Sequence, residues 1–247
     1  IMKKISILLL ALVFTLFSQA QTSIISIDSA RYNNASGVPV DSGMKVQLTG
    51  VVYGPNAYPT QNGNAFMLRG NNLSIKVYSK RNCQYTVHDG DSVTVIGTLS
   101  TYHGDAEVQL FSSGYNTTDT IIPLGTVGTV FAPYVVSAVT ENDESQLVQI
   151  NNVNTAVNTW TVPHPKHSFT CKVGTIYLFI DSFMSPDLWN LSGAPIGTYN
   201  IVGFGSQYAT AYPYNTGYSL QPRSLADFHQ INVGINETTN NLTAAVF

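Results

Sequence analysis

Apolar residues recur at alternate positions through a series of short runs, separated by Gly, Asn, Pro and Asp. Met44, Val46 and Leu48 alternate with polar neighbours, and Val51 follows beyond Gly50. Further runs cover 65–68, 73–78, 93–99 and 107–111, each rich in Val, Ile, Leu and aromatics. A period of two with β-branched and aromatic residues predicts strands. Gly70-Asn71-Asn72 and Asp89-Gly90-Asp91 predict hairpin-type turns, because Gly and Asn tolerate positive φ cheaply. The same order of runs returns at 146–153, 169–173, 175–181, 198–204 and 218–221.

The second set repeats the first in detail. Lys45-Val46-Gln47-Leu48-Thr49-Gly50-Val51 matches Leu147-Val148-Gln149-Ile150-Asn151-Asn152-Val153. Asp91-Ser92-Val93-Thr94-Val95-Ile96-Gly97 matches Gly197-Thr198-Tyr199-Asn200-Ile201-Val202-Gly203, and Val108-Gln109-Leu110 matches Tyr218-Ser219-Leu220. Matching blocks in the same order predict two copies of one β-rich module.

Each copy offers five strand-like runs. Residues 185–190 predict a single helical turn between the third and fourth runs of copy two, with Pro186 at its first position. A five-stranded Greek-key barrel, the OB-fold, carries a helix or loop there. Gly50 suits the bend that lets a first strand serve two sheets. The expected architecture is therefore all-β, two tandem five-stranded OB-like barrels packed side by side, with β-sandwiches as the alternative. The expected organisation is a signal peptide at 1–20, module one at 21–116, a linker at 117–140, module two at 141–230 and a polar linker at 231–247. Ile24, Ile25 and Ile27 in the lead-in read as an added edge strand.

Met2-Lys3-Lys4, an apolar run over 5–17 and Ser18-Gln19-Ala20 read as a secretory signal peptide, with small residues placed for cleavage after Ala20. The apolar run is shorter than the about 20 residues a membrane-spanning helix needs. Localisation is expected to be secreted or at the cell surface, with no transmembrane segment in the mature chain. Cleavage removes two lysines and takes the formal charge from −3 to −5. The remaining cations are scattered singly except Lys80-Arg81, which disfavours nucleic acid, whose binding relies on cations that displace counterions.

The chemistry-bearing residues are few. Cys83 and Cys171 either pair as a disulfide between the copies, as an oxidising compartment allows, or serve as small buried apolar residues, Cys171 standing where copy one has Leu68. His164 and His167 have a zinc-like spacing but no third ligand nearby in sequence, and read as part of an exposed loop. His88-Asp89-Gly90-Asp91 reads as a turn feeding a strand. Glu141-Asn142-Asp143-Glu144 reads as a solvated loop, calcium being the alternative at both. Gly203-Phe204-Gly205-Ser206 lacks the second flanking glycine and the strand–helix context of a nucleophile elbow. A glycosidase carboxylate pair needs only proximity in space, but most acidic residues here lie in turns. No catalytic residue, metal or cofactor is expected, and the chain reads as a non-enzyme.

The aromatics carry more. Tyr53 and Tyr58 occupy the first long loop of copy one, and Trp160 the same loop of copy two. Tyr102 and His103 fall in the last hairpin of copy one, and Tyr208, Tyr212 and Tyr214 in that of copy two. OB-folds bind oligosaccharides and oligonucleotides with these two loops and the face of strands two and three. These eight residues are the candidate ligand contacts, since flat amphipathic rings stack on sugars or bases. The alternative is that they cover barrel ends or pack between the modules.

Thr49-Gly50-Val51-Val52-Tyr53-Gly54, Tyr85-Thr86-Val87-His88-Asp89-Gly90-Asp91-Ser92-Val93, 144–153 and Gly217-Tyr218-Ser219-Leu220-Gln221-Pro222-Arg223 together resemble the tandem OB-fold-like modules of bacterial proteins exported by the type IX secretion system. The similarity runs over about residues 26–228. It implies a polar linker, here 236–241, leading to a small C-terminal sorting domain that is absent from this sequence. Through such a domain the partner would be the export machinery. The expected function is a non-catalytic accessory or binding module acting on an extracellular glycan or other polymer. A structural spacer or adhesion segment is the alternative, and single-stranded nucleic-acid binding follows by fold analogy only.

Overall fold

Alternation of buried and exposed side chains builds the first barrel. The computed structural model describes residues 22–58, 63–79, 81, 83, 85–111, 118–128, 131–164 and 166–231. The expected signal peptide and the tail from 232 onward lie outside these residues. Strand β1 (Ser23–Ile24) adds in parallel to β2 (Lys45–Tyr53). β2 then pairs with two partners in turn. Residues 45–51 run antiparallel to β5 (Asp91–Tyr102), and residues 51–53 run antiparallel to β3 (Asn64–Arg69). The change of partner falls beside Gly50, where a Cβ would lie 2.5 Å from the Arg69 carbonyl oxygen and 2.9 Å from Ile27 Cδ1. Only glycine lets the strand pass that close to β3.

β3 continues to β4 (Ser74–Ser79), β4 pairs in parallel with β6 (Asp105–Gln109), and β6 forms a hairpin with β5. The circuit β2-β3-β4-β6-β5-β2 therefore closes a five-stranded barrel in the strand order of an OB-fold. Phe66, Leu68, Ile75, Val77, Val93, Val95, Leu99 and Val108 fill it.

The second module repeats this order. β9 (Leu147–Asn154), β10 (Ser168–Val173), β11 (Ile176–Asp181), β12 (Thr198–Gln207) and β13 (Tyr218–Gln221) pair as β10-β11-β13-β12-β9, again with one parallel contact, β11 to β13. Among the described residues no ladder joins β9 to β10. The outer edge of β10 is instead covered by the loop before it, through Thr159 N–H to the Lys172 carbonyl (2.9 Å) and Gly174 N–H to the Val157 carbonyl (2.8 Å). Two positive-φ residues, Gly174 and Asn152, shape this end.

The residues expected to link the modules carry strands of their own. β7 (Thr120–Thr126) extends the first sheet beside β5, and β8 (Tyr134–Val136) extends the second beside β9. β14 (Phe228–Gln230) adds to β12. A buried Lys45–Asp119 ion pair fastens the start of β7 to β2. Each sheet thus has seven strands around its five-stranded core.

Two short helices close barrel ends. α1 (Ile27–Ala30), capped by the Ser26 hydroxyl, buries Ile27 and Ala30 against the first core, so the expected edge strand is present as β1 with Ile24 but gives way to helix at Ile27. α2 (Pro186–Trp189) is the expected turn between β11 and β12 and sets Leu188, fully buried, into the second core.

Strand registers test the internal repeat. Val46 faces Gly97 in one barrel and Val148 faces Gly203 in the other, which fits the first two matched blocks. The third block shifts by two residues: Val77 lies beside Val108 and Leu178 beside Leu220, so Leu220 corresponds to Val108 rather than Leu110. Likewise Cys171 pairs with Leu178 as Phe66 pairs with Val77, so it stands in for Phe66 rather than Leu68. A two-residue slip preserves which side chains face inward, which is why the pattern alone did not reveal it.

Cys83 lies in the first core and Cys171 in the second, both as free thiols. The disulfide reading is corrected accordingly: each sulfur fills space in its own barrel, and burial pushes the Cys171 thiol up to about 12.

The barrels are docked through a further apolar cluster, Tyr53, Met67, Leu147, Val202 and Phe204 with Phe131 against it. Arg69 lies 4.9 Å over the Phe131 ring. Around this cluster, Gln146 accepts from Arg69 (3.0 Å) and from the Ser74 hydroxyl (3.0 Å), and donates to the Asn72 carbonyl (2.9 Å). Gly54 has φ +82° and its missing Cβ would meet the Phe204 ring at 2.5 Å, so glycine is required by both conformation and space.

Candidate functional site

Because strand side chains alternate, the residues between the inward-facing ones form an outer face on each barrel. On module one this face carries Ala65 and Met67 from β3, Lys76 and Tyr78 from β4, and Glu107 and Gln109 from β6. On module two it carries Ser168 and Thr170 from β10, Phe179 and Asp181 from β11, and Gln221 from β13. These faces, which OB-folds use for ligands, are turned toward each other. Between them lies a cleft of about 760 Å³.

Aromatic groups stand along it. Tyr58 from the first long loop packs edge-on to Tyr78 (5.9 Å) and tilted on Phe183 (4.9 Å). At the other side the two last hairpins meet. Tyr102 and Tyr208 line the cleft and are 51% and 41% exposed, leaving ring surface free for a ligand. His103 stacks on Tyr208 at 4.1 Å, and its backbone carbonyl accepts from Ala209 N–H (2.7 Å), while its Nδ1 lies 2.9 Å from the Ala209 carbonyl. Gly104 has φ +101°, and a Cβ there would fall 2.1 Å from Gln207 Oε1, so a side chain would push the hairpins apart.

The polar lining is mixed. Lys76 Nζ is 3.7 Å from Asp105 Oδ2, and Glu107 and Asp181 act on the same ammonium. Burial works against that charge, yet Asp105 and Glu107 hold the lysine above its usual range. Burial also pushes the Asp105 carboxyl up to about 6, against the pull of Lys76 and Arg31. Tyr58 rises to about 12, through burial and the nearby Asp181 carboxylate.

Of the eight aromatic candidates, Tyr58, Tyr102 and Tyr208 line the cleft and His103 braces its edge. Tyr53 does not: it is 3% exposed, donates toward Ser74 and the Ser145 carbonyl, and packs against Phe131 and Phe204. Trp160 packs on the second core with His164 and Phe169. Tyr212 and Tyr214 meet edge-on, and the Tyr212 hydroxyl reaches Ser36 (2.7 Å), pinning the hairpin to the lead-in. Tyr78, Phe179, Lys76, Asp105, Glu107 and Asp181 also line the cleft. Their signal in the sequence was the outward phase of strands whose inward phase was read as core.

Elsewhere the charged segments serve structure. Asp91 accepts from His88 N–H (2.8 Å), the Tyr85 hydroxyl (2.8 Å) and Thr126 (3.1 Å), and Asp89 accepts from Gly54 N–H (2.9 Å), as turn residues do. The 141–144 segment is not a solvated loop. Asp143 caps its own turn through Thr140 N–H (2.8 Å), and Glu144 is fully buried against Arg31, whose other nitrogen donates to the Glu141 carbonyl (2.9 Å). The loop around the two histidines is exposed as expected at Val162, Pro163, Lys166 and His167, and within it His164 is half-buried, stacked 4.4 Å from Phe169 and within 2.8 Å of the Trp189 carbonyl. Among the described residues no group of three or more His, Cys, Asp or Glu is placed to hold a metal ion, and no helix is long and apolar enough to cross a membrane.

No family model matches the chain, and no curated protein does. Among solved structures it is similar to one described as "Crystal structure of a putative aspartyl-tRNA synthetase from Leishmania major Friedlin", at 12% identity and TM-score 0.32. That alignment covers 48% of this chain and 23% of that one. It is also similar to "Crystal structure of p204 HINb domain", at 11% identity and TM-score 0.33, over 74% of this chain and 95% of that one. A third, "Molecular basis for abrogation of activation of pro-inflammatory cytokines", aligns at 13% identity and TM-score 0.32 over 77% and 94%. Likeness this slight does not bear on function, and the OB-type assignment rests on strand order and register.

Proposed function

We propose that this chain is a non-catalytic binding unit of an exported protein and that its inter-barrel cleft takes an extracellular glycan. The observation that carries this reading is the convergence of both ligand-type faces on one cleft, where Tyr58, Tyr78, Tyr102 and Tyr208 alternate with carboxylates and amides. Aromatic rings stack on the apolar faces of sugar rings, while carboxylates and amides accept from hydroxyls. Lys76 and Lys166 face Asp105, Glu107 and Asp181 in the lining, a balance that repels a polyphosphate backbone. A single-stranded nucleic acid is therefore the weaker ligand despite the fold. Export is supported by the signal-peptide pattern of the first twenty residues and by the resemblance to type IX cargo modules.

A glycan array followed by titration calorimetry tests the reading. Tyr58→Ala and Tyr102→Ala should each weaken binding to the selected glycan about tenfold or more, whereas Trp160→Ala should leave affinity unchanged in protein that remains folded. Absence of binding to every glycan at millimolar concentration would leave the docked barrels as a rigid spacer, the rival reading.

A further inference from the structure

Resting on that reading, we infer that the cleft selects a glycan carrying free amines, and discriminates against N-acylated and acidic sugars. The least exposed part of the lining gathers carboxylates. Asp105 and Glu107 are 4% and 2% exposed, and half-buried Asp181 adds a third carboxylate, with Lys76 as the ammonium among them. Lys166 stands exposed at the rim. Lys76 approaches Asp105 through Oδ2 only, and the buried Oδ1 of Asp105 has no hydrogen-bond partner. Buried charge is ordinarily matched by an opposite charge or by donors. Donors on the protein meet part of this set: Glu107 accepts from Gln109 Nε2, Asp181 Oδ1 from the Phe183 and Met184 N–H groups, and Asp105 Oδ2 from the Ser206 hydroxyl, with Arg31 also pulling on Asp105. Asp105 Oδ1 is left unpartnered, and the open volume beside these carboxylates offers the place for a second cation. An ammonium on a sugar ring supplies both the charge and the N–H donors, in charge-assisted bonds about twice as strong as neutral ones. The same ring presents an apolar face to Tyr58 or Tyr78. An N-acetyl group removes the charge, and a uronic acid adds a like one.

The test uses the chain with defined oligosaccharides at a pH just above about 6, where the Asp105 carboxyl is largely ionised and sugar amines still carry charge. Chitosan hexasaccharide should bind at least about tenfold tighter than chitin hexasaccharide, consistent with one charge-assisted contact. Glu107→Gln should erase that preference, and Asp105→Asn provides the same comparison should Glu107→Gln not fold. Tyr58→Ala should weaken both sugars together. Equal binding of the acetylated and free-amine forms, or binding only of neutral glucans or mannans, overturns the inference while leaving the glycan reading in place. No binding of any sugar overturns both. Oligolysine competing with chitosan at equal affinity overturns it in favour of a cationic peptide ligand.

Discussion

Replacing Arg31 with Met should separate the barrels energetically. Arg31 and Glu144 form an ion pair whose side chains are 2% and 0% exposed, joining the lead-in of module one to the start of module two. Truncating one partner of such a pair strands the other charge, at a cost of about 3–5 kcal/mol. For a protein of this size one kcal/mol moves Tm by about 2–4 °C, so at alkaline pH, where Glu144 is ionised, Arg31→Met should lower it by roughly 6–20 °C. The pair is not ideal, since Arg31 Nε and Glu144 Oε1 have no partners, so Arg31→Met/Glu144→Met should recover most of the loss. Burial, with Asp105 and Glu141 nearby, pushes the Glu144 carboxyl up to about 8, from an ordinary 4.5, despite Arg31. A carboxyl raised on folding contributes stability fully below its unfolded value and loses it as pH rises through the folded one. Without Arg31 the rise is larger, so the ionic part of the Arg31→Met deficit should be small below about pH 8, grow as pH rises through it, and be complete only above the variant's still higher value. Calorimetry of the four proteins of the cycle across this range measures it. A single-variant cost under about 1 kcal/mol, with no pH dependence and no recovery in the double variant, would refute the buried, docked interface.

Other substitutions probe separate elements. Leu188→Ala should destabilise module two by about 2–5 kcal/mol, read from denaturant unfolding, because it empties the fully buried plug of the second core. Gly205→Ala places a Cβ 2.0 Å from the Asp143 carbonyl oxygen and should cost at least about 1–3 kcal/mol in the same assay, while Gly193→Ala, with nothing within 4 Å, should be close to neutral. Cys171 should resist alkylation in the native protein and react once denatured, and mass spectrometry without reductant should find both cysteines as thiols. Oligonucleotide binding should be absent at physiological salt, and a steep salt dependence of measurable binding would contradict the charge balance of the cleft.

The barrels were legible because their strands announce themselves by period. Val46 and Leu48, or Leu178 and Ile180, point inward at every second residue, and turn residues punctuate the runs. Gly50 was legible as a bend, because a glycine in a long strand marks close backbone approach. The docking was not. Glu141 and Glu144 look alike in sequence to any solvated acidic loop, and only the position of Arg31, more than a hundred residues away, makes one of them buried. Tyr53 and Tyr58 are five residues apart and equally aromatic, yet one is a structural wedge between barrels and the other lines the cleft. Which fate each meets depends on the relative placement of the two modules, a long-range property that local pattern does not encode. The cleft carboxylates were hidden for the same reason: Glu107 and Asp181 come together only when two outer faces meet.

Hydrogen exchange with and without bound glycan, read by mass spectrometry at peptide level, tests the central claim most directly. The account predicts protection in β3–β4, in β10–β11 and in both hairpins, at Tyr102–Asp105 and around Tyr208, from one ligand at one-to-one stoichiometry. Protection confined to a single module, or falling around Trp160 and Tyr212 instead, would contradict a binding cleft formed between the barrels.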